Sequence, residues 1–126
     1  MTRLLFKFSF LVFFIPSFVF SKWEEYDLFG KVNLYIDFDT IKYSADNVYV
    51  ETLMDLPSRD RTGFISIYLK QEINCEKTAM RVIKQKYYED NMGKGEIIKV
   101  SSRIMNWVYP PENSSYGIMI SEFCKK

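Results

Sequence analysis

The chain has 126 residues, with 17 Lys and Arg against 16 Asp and Glu, two cysteines and no histidine, for a formal net charge of +1. This balance supplies no global field toward nucleic acid or anionic lipid, and the missing histidine removes the commonest general base and the commonest zinc ligand. The length allows one domain with one modest core.

Arg3 and Lys7 give a positive start, and residues 8–20 are apolar except for Ser9, Pro16 and Ser17, with no acid before Glu24. This is the pattern of a secretory signal peptide. A spanning helix needs about 20 apolar residues, and Pro16 interrupts a run shorter than that. Residues 1–21 are therefore expected to be a signal peptide cleaved after Ser21, with an uncleaved anchor helix as the alternative. The mature domain, residues 22–126, is then expected to have no membrane span and no cysteine at its start to carry a lipid. Its expected location is periplasmic or secreted to the cell surface without a lipid anchor. Fifteen basic and sixteen acidic residues remain in it, at about minus five over residues 22–60 and plus four over residues 61–126. Whether that asymmetry makes two faces depends on the fold.

Strand signals dominate the mature chain. A short strand is expected at residues 23–26, then a turn at Gly30-Lys31, then an alternation carried by Val32, Leu34 and Ile36. Asp46-Asn47 turns the chain into a strand at residues 48–54. Residues 57–63 form a polar loop, the best candidate for a mobile surface excursion. Ile65, Ile67, Leu69 and Ile73 then alternate with Ser66, Tyr68, Lys70, Glu72 and Asn74, which predicts one packed face and one wet face, with Gln71 interrupting. Residues 80–88 also alternate, but their inward face is ambiguous. Residues 91–95 make the next turn, where Gly93-Lys94-Gly95 suits the positive φ of a hairpin better than a phosphate-binding loop. A last strand is expected at residues 96–101.

Residues 103–112, with Trp107, Tyr109 and Pro110-Pro111, read as a rigid aromatic connection that cannot join a central strand. A terminal helix follows. Asn113, Ser114 and Ser115 offer N-caps, and Tyr116, Ile120, Phe123 and Cys124 fall on one face, while Gly117 weakens the helix. Asn113-Ser114-Ser115 also matches a glycosylation sequon. Two cysteines in an exported chain read as a bridge, so Cys75 and Cys124 are expected to pin the helix to the sheet. A free reactive thiol is the alternative.

No catalytic, metal or cofactor constellation emerges. Asp37 and Asp39 are the nearest paired carboxylates, and a strand-end Asp-x-Asp reads as a turn-former. Lys77, Arg81, Lys84 and Lys86 form a basic cluster, read either as the lysines that guard an edge strand or as a polyanion-binding groove. Tyr35, Tyr49 and Tyr68 lie where the alternation does not bury them, either as a protein-binding surface or as packing for a second face or a homodimer contact.

Taken in order, Trp23, Tyr35-Ile36-Asp37, Thr40-Ile41, residues 48–51, Cys75, Arg81, Tyr87-Tyr88, Gly93-Lys94-Gly95-Glu96, Trp107 with its prolines, Ser114 and Cys124 resemble the surface-adhesin protein E family of Gram-negative bacterial envelope proteins. The resemblance implies an α+β fold: one antiparallel sheet of about six strands with a C-terminal helix, the cysteines joined, and a tendency to form a homodimer. It also implies a non-enzymatic adhesin, because the founding member is a surface lipoprotein associated with host vitronectin, laminin and plasminogen. The lipid anchor is the feature of the family that this sequence is expected to lack. Candidate partner-binding residues are Tyr35, Tyr49, Tyr68, Lys84, Lys86, Lys125 and Lys126. The terminal lysine pair would suit lysine-binding kringle domains, or would simply complement the helix dipole. The competing reading is a periplasmic inhibitor or envelope accessory protein that presents residues 57–63.

Overall fold

A computed structural model describes residues 23–26 and 32–125. The expected signal peptide and its cleavage point, the Gly30-Lys31 turn and Lys126 lie outside the described residues. Seven strands are described: β1 (Trp23–Tyr26), β2 (Asn33–Asp37), β3 (Lys42–Ser44), β4 (Asn47–Asp55), β5 (Ser66–Asn74), β6 (Ala79–Tyr88) and β7 (Ile97–Ser101). One helix, α1 (Ser115–Phe123), follows them. All pairings are antiparallel, and the sheet runs β1-β2-β4-β5-β6-β7 with the short β3 beside β4. β3 is the strand that the sequence pattern does not reveal, because all three of its residues are exposed and carry no alternation.

Register sorts the side chains into two faces, since neighbours in a strand point to opposite sides. Leu34 and Ile36 of β2, Val48 and Val50 of β4, Ile73 of β5 and Met80 of β6 form one buried cluster with Met119, Ile120 and Phe123 of α1. Fully burying an aliphatic side chain of this kind contributes about 1.5–3 kcal/mol. The helix covers this face and no other. Gln71, which breaks the hydrophobic alternation, is buried in the same interface beside the Tyr116 hydroxyl, and among the described residues its Oε1 has no hydrogen-bond partner.

α1 starts where the sequence places it. The Ser114 hydroxyl oxygen accepts from the Gly117 N–H at 3.1 Å, satisfying one of the free donors of the first turn. Gly117 does more than weaken the helix. It is buried, and a Cβ there would lie 2.0 Å from the Pro111 carbonyl oxygen, so only glycine lets the proline segment pass this close. Met119 joins the buried face as well, while Tyr116 and Cys124 are half-buried. The Cys75–Cys124 disulfide spans a sequence separation of 49 and ties the end of α1 to the turn after β5, as the composition predicts.

Two expectations change. β5 has no wet face: Ser66 is 0 % and Glu72 5 % exposed on the side away from the helix, because the hairpin turn after β6 and the Trp107 segment fold over it. β6 is not an edge strand, since β5 and β7 flank it and Val108 bridges to Met80 on its outer side. Its lysines therefore do not guard an edge. The loop at residues 57–63 is exposed but folded on itself: Arg59 donates to the carbonyls of Gly63 and Glu89, and the Asp60 carboxylate accepts from the Thr62 N–H and hydroxyl.

The ambiguity of β6 also has a physical cause. Pairing runs Gln71 to Val82 but Lys70 to Lys84, so Ile83 is an extra residue in a β-bulge. Met80 and Val82 point to the helix before the bulge, and Gln85 and Tyr87 point there after it. A change of phase in mid-strand defeats any single alternation.

Candidate protein-binding face

The sheet face opposite α1 gathers most of the side chains singled out in the sequence. Tyr35, Leu53, Tyr68 and Lys86 stand in one cross-strand row from β2 to β6. Glu51, Lys70 and Lys84 form the next row, and Tyr49, Glu72 and Arg81 another. Five of the seven candidate residues, Tyr35, Tyr49, Tyr68, Lys84 and Lys86, thus share one surface although they come from four strands.

The tyrosines are not free on it; all three are half-buried. The Tyr49 hydroxyl donates to Glu72 Oε2 at 2.8 Å, and the Tyr68 hydroxyl donates to Glu51. Burial first, and then the bond to Glu51, push the Tyr68 phenol well above its ordinary value. Burial raises the Tyr35 phenol, with Asp55 and Glu25 adding to it, and the hydrogen bond to Glu72 does the same for Tyr49. These groups are neutral hydrogen-bonding platforms at physiological pH.

Tyr68 is the centre of the face. The Lys86 ammonium stands 5.1 Å from its ring centroid, and Trp23 meets it edge-on with centroids 6.5 Å apart. At the β5–β6 end of the face, Arg81 Nε donates to Glu72 Oε1 at 2.5 Å while its guanidinium lies 4.2 Å from the Trp107 ring centroid. At the opposite end the turn at Asn91–Gly93 closes over Leu53. There the Ser66 hydroxyl donates to the Asp90 carbonyl and accepts from the Gly93 N–H, and Asp55 accepts from the Met92 N–H. Met92, Gly93 and Gly95 have φ of 59°, 67° and 76°, the positive values that the glycine-rich turn predicts.

The remaining chemistry resolves into structure. Asp37 caps a 3-10 turn by accepting from the Asp39 N–H at 3.1 Å. Lys77 lies in the β5–β6 turn, where its N–H donates to Asn74 Oδ1. Lys125 is exposed beyond α1, far from the rows that hold the tyrosines, and Lys126 is outside the described residues. Trp23 and Trp107 are the members of the face that alternation alone does not identify; Trp23 stands between the polar Lys22 and Glu24, and Trp107 precedes the Pro110-Pro111 pair in an irregular stretch. Among the described residues there is no group of three or more acidic or cysteine side chains placed to hold a metal, and no helix long and apolar enough to cross a membrane.

Comparison with known proteins agrees with this architecture. A family model described as surface-adhesin protein E matches residues 23–125. The crystal form II structure of Haemophilus influenzae protein E superposes with a TM-score of 0.63 at 16% identity, covering 86% of this chain and 91% of that one. A crystal structure of protein E from non-typeable Haemophilus influenzae gives 0.58 at 16% identity, over 86% and 79% of the two chains. At these identities the likeness is one of fold. Comparison with curated protein sequences gives no match.

Proposed function

The chain belongs to the surface-adhesin protein E family, and on that premise we propose that it is an exported, non-enzymatic protein that binds other proteins through the sheet face opposite α1. The observation that carries the reading is the convergence of Tyr35, Tyr49, Tyr68, Lys84 and Lys86 on one surface by strand register. Half-buried aromatic rings with neutral hydroxyls, rimmed by Lys70, Lys84 and Lys86, combine rigid apolar area with positive charge, the mixture that tyrosine-rich interfaces use. The partner class that fits is a folded protein with an acidic patch. The host proteins implied by the family, vitronectin, laminin and plasminogen, are the first to test.

The signal peptide at residues 1–21 delivers the protein beyond the inner membrane, and the disulfide suits the oxidising compartments there. Binding to immobilised vitronectin, laminin and plasminogen is expected to fall about tenfold or more in a Lys84→Glu, Lys86→Glu variant, the scale of losing a hot-spot pair. Equal binding by that variant and the native protein would remove this face from the proposal. Protease treatment of intact cells is expected to strip the protein from the surface. Its detection only after outer-membrane rupture would favour the periplasmic accessory role.

A further inference from the structure

The bulge at Ile83 decides which face of the sheet receives the lysines of β6. Side chains alternate along a strand, so a β6 that kept the phase of Met80 and Val82 would send Lys84 and Lys86 to the side of α1. The extra residue reverses that phase and sets both on the opposite face. There Lys84 is the direct cross-strand partner of Lys70, and Lys86 is the partner of Tyr68. Like charges directly opposite destabilise a sheet, and these lysines guard no edge, since β5 and β7 flank β6. The Lys70–Lys84 pair is a local cost that neither packing nor edge protection explains.

The fold leaves much of this charge uncancelled. Among the described residues the one ion pair on the face is Arg81 with Glu72. Glu51, beside Lys70 on β4, serves the Tyr68 hydroxyl, Lys70 and Lys42 together. On the other side of β6, residues 97–109 carry no acid. Arg103 lies there between Ser101, opposite Gln85, and Met105, whose N–H donates to the Val82 carbonyl, so the exposed arginine runs past the bulge. Lys86 is held in place by the Tyr68 ring, 5.1 Å from its ammonium.

We propose that Lys70, Lys84 and Lys86 form a seat for a sulfated polysaccharide chain lying along β6. Directly opposed side chains stand about 5 Å apart at Cβ, and Lys84 and Lys86 are about 7 Å apart along the strand. Cations this close call for several anionic groups on one ligand. A sulfated sugar chain carries them on neighbouring rings, whereas protein carboxylates each arrive on a flexible stem that must be ordered. A row of charges along a strand also suits a linear chain better than a single small anion. This seat goes beyond the binding of proteins and does not rest on it.

Heparin titrated against the full chain, with its disulfide intact and at rising salt, tests the proposal. The native protein is expected to bind heparin and to melt at a higher temperature in its presence. Hyaluronan, which has carboxylates but no sulfate, should not bind. Lys84→Gln and Lys86→Gln together should weaken heparin binding about tenfold or more. They should also flatten the slope of log affinity against log salt by roughly two units, one for each lysine. The melting temperature without ligand should hold or rise, because the opposed lysine pair is relieved. Lys77→Gln, in the β5–β6 turn, and Lys99→Gln, on the face that bears α1, should leave the affinity nearly unchanged. Equal binding of hyaluronan, or an equal loss in the Lys77 and Lys99 variants, would overturn the seat. So would a native protein that ignores heparin at physiological salt; if the host proteins still bound and lost affinity with Lys84 and Lys86, those lysines would belong to an acidic protein surface instead.

Discussion

The guanidinium of Arg81 lies between the Glu72 carboxylate and the ring of Trp107, 4.2 Å from the ring centroid. This sandwich holds the irregular segment after β7 against the sheet and supplies the charge that Glu72, 5% exposed, requires. Tyr49 shares the load through its own bond to Glu72. The basic residue that looked like part of a surface cluster is thus the clasp of a loop.

Arg81→Ala is expected to destabilise the domain by about 2–3 kcal/mol, because it leaves a nearly buried carboxylate short of its counter-charge. Urea unfolding measures the loss, and Trp107 fluorescence should shift to the red as the indole loosens. Adding Glu72→Gln should recover part of the stability; a double variant as unstable as the sum of the two singles would exclude the coupling.

Gly117→Ala meets backbone, not a flexible side chain. With a Cβ placed 2.0 Å from the Pro111 carbonyl oxygen, either α1 or the proline segment must move. The expected cost is about 3 kcal/mol, against little change for Ser121→Ala on the exposed side of the same helix. Thermal midpoints of the two variants compare them directly.

Reduction of Cys75–Cys124 should cost about 4 kcal/mol in the chain-entropy account, given a separation of 49 residues. The loss should be global, with α1 detaching first because its disulfide end is released. Hydrogen exchange under reducing conditions would show Met119, Ile120 and Phe123 losing protection before β4 and β5.

Stability should be level between two pH limits. Tyr68 and Tyr26 are raised above 10.0, by burial first and then by their bonds to Glu51 and Glu122. Their neutral forms are favoured in the fold, so this contribution is complete below the unfolded tyrosine value and is lost as pH rises above it. Glu51 behaves in the opposite sense. Burial pushes its carboxyl up, but hydrogen bonds from Tyr68 and Thr40, with Lys70 and Lys42 nearby, leave it below 4.5. Its contribution is present above the unfolded glutamate value and is lost as pH falls through the folded one. Tyr68→Phe should flatten both limbs of a plot of melting temperature against pH; an unchanged alkaline limb would contradict the assignment.

Much of this was legible in the residues. The apolar alternation at Leu34 and Ile36 and at Val48 and Val50 fixed which side of β2 and β4 is buried, because those strands keep one phase throughout. Ser114 announced the start of α1 through its capping hydroxyl, and the lone pair of cysteines announced its own partnership. β6 was illegible for a definite reason: the bulge at Ile83 reverses its phase, and the partner strand that forces the bulge is remote from any local window.

What the sequence determined alone was local or arithmetical: the helix and the strand segments other than β3, the disulfide and the separation of acid from base along the chain. Tertiary structure decided everything that depends on register. It turned the charge asymmetry into two unlike edges and not two faces, since a meandering sheet lays sequence order out as position across its width. It brought Tyr35, Tyr49, Tyr68, Lys84 and Lys86 onto one surface, and it converted Arg81 and Gly117 from a surface charge and a weak helix former into the fixings of the final loop. These outcomes come from pairings between segments far apart in the chain, whose alignment no single segment encodes.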